Sequence, residues 1–152
     1  MGLASITIDL EQRVLEALQR RARPSTLPKH LQTGLRGEQE ALFFLRRQGF
    51  TIVAQRWTSA KLRGDLDLVG WDGSTLVIFE VKTRSMRNFA PAEAAVDENK
   101  RRQLRLMARA YLRQLPAEHR DRVPIRFDVV SVYLLASGVE CEHLLSAFSM
   151  RG

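Results

Sequence analysis

With 152 residues, 45% of them hydrophobic and 27% charged, the chain is long enough for one core and too short for two ordinary domains, and its composition excludes disorder throughout. A formal charge of +7 makes polyanions its natural partners, because clustered Lys and Arg release the counterions condensed on phosphate chains. Cys141 is the only cysteine, which excludes an internal disulfide and a cysteine-cluster metal site. His30, His119 and His143 have no zinc-ligand spacing and read as ordinary surface or core residues. No run approaches the roughly 18 apolar residues of a spanning helix, and "MGLASITIDLEQ" lacks the basic start and long apolar core of a signal peptide. The expectation is a cytoplasmic protein with no membrane contact.

In chain order, residues 9–22 place Leu10, Val14, Ala17 and Leu18 on one helical face, with Asp9 as the N-cap. Pro24 and Pro28 interrupt the pattern, so residues 1–30 read as a helical extension and linker ahead of a single domain over 31–152. A second helix is predicted from Leu35 to Gln48, with Ala41, Leu42, Leu45 and Gln48 inward and Gly49 at the stop position. Glu38, three and four residues before Ala41 and Leu42, puts a carboxylate on that inward stripe. Phe50 to Trp57 reads as a strand, followed by a basic loop and two strands joined at Asp72-Gly73. After a loop containing Pro91, a long helix is predicted from Glu98 to Gln114, capped by Asp97, with an apolar stripe of Leu104, Met107, Ala108, Tyr111, Leu112 and Leu115. Val123 to Leu135 is a strong strand, and the tail reads as a weaker strand and short helix. This order suggests an α/β sandwich on a mixed sheet.

The hairpin "GDLDLVGWDGSTLVIFEVKTR" drives Glu80 and Lys82 into the end of its most hydrophobic run. With Asp72-Gly73 as a two-residue loop, Trp71 faces Ser74, Asp67 faces Ile78 and Asp65 faces Glu80. Asp65, Asp67, Glu80 and Lys82 then share one face, Leu66, Leu68, Val77, Phe79 and Val81 the other, and Asp67 and Glu80 are diagonal neighbours. Two carboxylates so placed can close around a magnesium ion, which would activate water and stabilise charge during phosphodiester hydrolysis, with Lys82 assisting. The same charges also suit a same-face ion pair at a strand end, with Asp65 and Asp67 solvated.

At these residues the sequence resembles the PD-(D/E)XK nuclease superfamily, whose signature is an Asp on one strand and (D/E)xK on the next, here Asp67 and Glu80-Val81-Lys82. More closely it resembles the YraN-like (UPF0102) family, related in fold to archaeal Holliday-junction resolvases. The resemblance runs through "GLRGEQEALFFLRRQGFTIVAQRW", "RGDLDLVGWDGSTLVIFEVKTRS", "PAEAAVDENKRRQLRLMARAYL" and "IRFDVVSV". It implies a restriction-endonuclease-like three-layer α/β/α sandwich with a central mixed sheet. It also implies Asp67, Glu80 and the Val81 carbonyl as ligands of Mg (or Mn), Lys82 as catalytic lysine, and Glu38 as a further carboxylate at the same centre. Two positions depart from the family: Asp65 stands where Glu is usual, and Arg56 where Asn is usual.

From Asn99 to Gln114 the long helix carries Lys100, Arg101, Arg102, Arg105, Arg109 and Arg113 and no acid. Arg102, Arg105, Arg109 and Arg113 form a stripe away from the apolar one, while Lys61, Arg63, Arg84 and Arg87 are expected in loops beside the carboxylates. Such a run suits a solvated face, and beside a nuclease-like site it suits a phosphate backbone. The expected nucleic-acid contacts are Lys61, Arg63, Arg84, Lys100, Arg102, Arg105 and Arg109. Trp57 and Phe89 suit base stacking or core packing. The leading expectation is a metal-dependent endonuclease-like protein acting on branched or single-stranded DNA, where a homodimer would suit a two-stranded junction. The alternatives are a non-catalytic nucleic-acid-binding protein of nuclease fold, and an interaction scaffold using the exposed side of the first helix.

Overall fold

The computed structural model describes residues 2–22, 25–87 and 96–151. The chain order is α1 (Leu3–Arg21), α2 (Lys29–Arg47), β1 (Thr51–Ser59), β2 (Leu62–Asp72), β3 (Thr75–Arg84), α3 (Glu98–Leu112), α4 (Ala117–Arg120), β4 (Ile125–Leu135) and β5 (Gly138–Phe148). The strands form one mixed sheet in the order β1-β2-β3-β4-β5. Only β3 and β4 run parallel, which requires a crossover, and α3 lies on it. Ala41 and Leu45 of α2 cover one face with Leu68, Val77, Phe79, Val81, Val130 and Val132. Leu104, Met107 and Ala108 of α3 cover the other with Val69, Leu76, Ile78, Phe127 and Val129. This is the three-layer α/β/α sandwich. Because β3 and β4 are buried on both faces, their residues alternate between two cores instead of between core and water.

The long third helix is as expected: Asp97 accepts the Lys100 backbone N–H at 2.8 Å. Other boundaries differ. Helix α1 begins at Leu3, so Asp9 lies within it and is no N-cap; its carboxylate is engaged by Arg47 at 2.7 Å. Helix α2 begins at Lys29, directly after Pro28, more than a turn before the predicted Leu35, and Gln48 is exposed, not inward. The tail after Leu135 is one strand with no closing helix, and the short α4 falls elsewhere.

The hairpin register differs by two residues. Asp72 pairs with Thr75, and Trp71 with Leu76, so Gly73 and Ser74 form the turn. Gly73, at φ +57, takes the first central position, where a Gly-first hairpin turn needs a positive φ. A two-residue shift preserves faces, since side chains alternate with period two. One face assignment fails: Leu66 joins the α3-side core, while Leu68 joins the α2-side core. Regular alternation is therefore broken around Asp67. Opposite this point on β1, Arg56 has φ +47, and no Arg56–Asp67 rung lies between the Trp57–Leu66 and Gln55–Leu68 pairs.

Candidate active site

The β2–β3 ladder ends at the Leu68–Phe79 pair. Continuing that register, Asp67 falls opposite Glu80 instead of diagonal to it. Here the Val81 backbone N–H donates to the Asp67 carboxylate at 2.8 Å. A side chain thus satisfies a strand donor whose backbone acceptor is missing. The two acids meet where the strands part, as the mouth of a cleft of about 550 Å³ lined by Glu38, Asp67, Glu80, Val81 and Lys82.

Glu80 is buried, with one oxygen 3.1 Å from Lys82 Nζ and 3.3 Å from Lys100 Nζ. Its other oxygen, Oε2, is buried and has no hydrogen-bond partner. Glu38 reaches the cleft from α2, whose close seating depends on Gly37. A Cβ there would lie 1.8 Å from the Thr83 side chain on β3. Arg56 stands between Glu38 and Asp65, its Nε 3.7 Å from a carboxylate oxygen of each. Position 56 lies in the left-handed region at φ +47, which few residues other than Gly adopt and which Asn tolerates better than Arg.

Burial pushes the Asp67 carboxyl up from the usual 3.8 to about 7; the Glu80 charge and, less strongly, Glu38 add to this, against the Val81 N–H and the Lys100 charge. The Glu38 carboxyl is also raised, first by burial and then by Asp65 and Glu80, with Arg56 opposing. These acids are costly to keep ionised together, and a cation would offset that cost. A divalent metal fits this donor set, since Glu80 offers an unpartnered oxygen beside a second carboxylate. Among the described residues, no three His, Cys, Asp or Glu side chains cluster to hold an ion by themselves. Magnesium accepts such a sparse set because it keeps several waters.

The basic residues divide. Lys100, expected on the phosphate-contacting face, belongs to the carboxylate centre through Glu80. Arg102 and Arg109 are exposed on α3, Lys61 is exposed in the β1–β2 turn, and Arg63 and Arg84 lie in strands, not loops. Arg63 and Arg102 line a separate groove of about 370 Å³. Arg105 is not available to a ligand: it is buried, donates to the Ser149 carbonyl at 2.8 Å, pairs with Glu98 at 2.9 Å and lies over the Phe148 ring. It stands four residues from both Arg101 and Arg109 on the helix, a spacing that carries no sign of the chain end folding over it. Arg87 is tied to Glu140 and Glu142 on β5. Trp57 packs edge-on against Tyr111, so it serves the core, whereas Pro24, Phe89 and Pro91 fall outside the described residues.

His30, which the sequence offers only as an ordinary surface or core residue, also lines the cleft, as does Thr33. Stepping back from Glu38 by fours along a helix reaches Gly34 and His30, a signal lost when the helix is started at Leu35.

The family model described as "Uncharacterised protein family UPF0102" matches residues 37–132, a span holding Glu38, Asp67, Glu80, Lys82 and Lys100. A UPF0102 protein of Koribacter versatilis is 49% identical over 125 residues, covering 82% of this chain and 85% of the relative. One of Solibacter usitatus is 43% identical over 141 residues, covering 93% of this chain, part of α1 included, and 99% of the relative. One of Porphyromonas gingivalis is 40% identical over 123 residues, 80% of this chain and 87% of its own length.

Proposed function

The chain belongs to the UPF0102 family, and on that premise we propose that it is a metal-dependent phosphodiesterase acting on nucleic acid, DNA first of all. The observation that carries this is the buried, unpartnered Glu80 Oε2 beside Asp67, in a cleft that also receives Lys82 and Glu38. Asp67, Glu80 and the Val81 carbonyl would hold magnesium or manganese, which supplies an activated water and countercharge for phosphodiester hydrolysis. Lys82, about a third exposed, is the one lysine of the Glu80 pair that lines the cleft, and there it orients water or neutralises a phosphate oxygen. Glu38 supports the centre from α2, and the exposed Arg102 and Arg109 hold the backbone of the substrate.

The test is incubation of the full chain with manganese and a panel of single-stranded, duplex and branched DNA and RNA. Cleavage that disappears in Asp67→Ala and Glu80→Ala, with circular dichroism unchanged, supports the assignment. Undiminished cleavage in both variants sinks it. A second reading, a nucleic-acid binder that does not cleave, is favoured by one observation: two ammonium groups already balance Glu80 without a metal. Salt-sensitive binding without calorimetric manganese uptake would select it.

A further inference from the structure

The C-terminal half of α1 and the first turns of α2 enclose a groove of about 750 Å³. Arg20, Lys29 and Arg36 line it, all exposed, and no carboxylate does. Among the described residues none of the three enters an ion pair. The neighbouring acids are engaged elsewhere. Asp9 and Glu11 bind Arg47 and Arg46 at the far end of the α1–α2 seam. Glu16 and Glu40 line the next groove together with Arg20 and Arg36 and, among the described residues, form no ion pair there; both accept from the Gln12 amide, at 3.1 and 3.2 Å. Ion pairs thus close one end of the seam, while the groove at the other end is lined by three cations and no acid.

Thr33 lines both this groove and the carboxylate cleft. The start of α2 is thus a ridge with the acids on one side and the cations on the other. Lys29 and Arg36 are seven residues apart, about 10 Å along the helix axis, and B-DNA advances about 3.4 Å per phosphate of one strand. Such spacing spans about three phosphates of one chain, more than a single small anion can bridge.

We propose that the α1–α2 groove is a second phosphate-binding track, which takes the nucleic-acid strand where it leaves the carboxylate cleft. This rests on the cleft being a nucleic-acid site. It gives the N-terminal helix a role: α1 supplies Arg20 and closes one wall of the track.

The test is fluorescence anisotropy on the full chain in chelator, across a salt series. The probes are labelled DNA and RNA, as a short oligonucleotide that fills the cleft alone and a strand several times longer. The Arg20→Ala/Lys29→Ala/Arg36→Ala variant is expected to weaken binding of the long strand about tenfold or more and to lower its salt slope by about 2–3, one step per lost phosphate contact. The short probe should be little affected, and the Lys/Arg exchanges Arg20→Lys, Lys29→Arg and Arg36→Lys should restore the long-strand affinity. Wild-type affinity for the long strand in the triple variant overturns the track, and so does an equal loss on both lengths. The cleft stands or falls separately: a Lys82→Ala variant, which removes the cation lining the cleft, should weaken both probes, and cleavage is scored with manganese. Length-dependent loss without cleavage would keep the track and remove the catalytic reading. No binding by the wild type would overturn both.

Discussion

Helices α1 and α3 carry the same kind of sequence, an apolar stripe opposed by charge, and the fold uses them in opposite ways. Helix α3 turns Leu104, Met107 and Ala108 into the core and leaves Arg102 and Arg109 in water. Helix α1 leaves Ile6, Leu10, Val14 and Leu18 between 51% and 61% exposed. It buries Ile8 and meets α2 through polar contacts: Asp9 with Arg47, Glu11 with Arg46, Gln12 with Glu40, and Gln19 with Gln39. Amphipathic periodicity identifies two faces, and it does not say which of them is inside.

The sharpest break of this contrast is a pair of truncations. Met107→Ala should cost about 2–5 kcal/mol by leaving a cavity under α3. Leu10→Ala on the matching stripe of α1 should change stability by no more than about 0.5 kcal/mol. Urea denaturation of both variants measures the difference directly. Equal losses would mean that the α1 stripe is covered in solution.

The cleft, reached by Glu38 of α2 and, through Glu80, by Lys100 of α3, should behave as neither layer. Asp67 is held neutral more readily when folded than when unfolded, so it contributes stability that is complete below about pH 4 and is lost as pH rises towards 7. Asp67→Asn keeps an acceptor for the Val81 N–H and removes that loss. In metal-free buffer at pH 8 the variant should be the more stable by about 1–4 kcal/mol, at about 1.4 kcal/mol per pK unit, with no advantage at pH 3.5. Melting curves at the two pH values check it, and manganese should narrow the gap by stabilising the wild type alone.

Within α3, Arg105 and Arg109 separate structure from binding. Arg105→Ala should lower stability by about 1–3 kcal/mol, because it strips a partner from the Ser149 carbonyl and from Glu98. Arg109→Ala should leave the melting curve alone and lower the salt slope of nucleic-acid binding by about one. The smallest effect belongs to the α1 seam. Arg47→Ala should cost about 0.2–1 kcal/mol, shrinking as salt is added, since exposed pairs are screened.

Much of the architecture is legible in the sequence because local rules and tertiary packing agree there. Asp97 caps α3, Gly49 follows α2 at φ +95, and the apolar runs of β3 and β4 become central strands. The meeting of Asp67, Glu80 and Lys82 survived a wrong register because the error was an even number of residues. Other features depend on contacts no local pattern encodes. Arg105 looks like its helical neighbours until the chain end closes over it. Lys100 looks like a phosphate contact, yet the start of α3 is set down beside Glu80. The two-residue turn was misplaced because Asp-Gly and Gly-Ser both satisfy turn chemistry, and only the ladder chooses between them. The inversion of α1 is the deepest case, since its stripe obeys every rule for a buried face.

The hydrogen bond from Val81 to Asp67 makes one side chain both a piece of secondary structure and a site residue. Its two duties tolerate different changes, which gives drifting copies of this gene a legible order of decay. On the proposed function, a lineage that gave up phosphodiester chemistry would be free to vary Lys82 early, since among the described residues only Glu80 forms an ion pair with it. Position 67 would pass through Asn, which still accepts from the strand, well before it could become apolar. Asn at 67 beside a retained Glu80 would then mark a fold kept after the proposed chemistry has gone, and an apolar residue there a sheet that has been rebuilt.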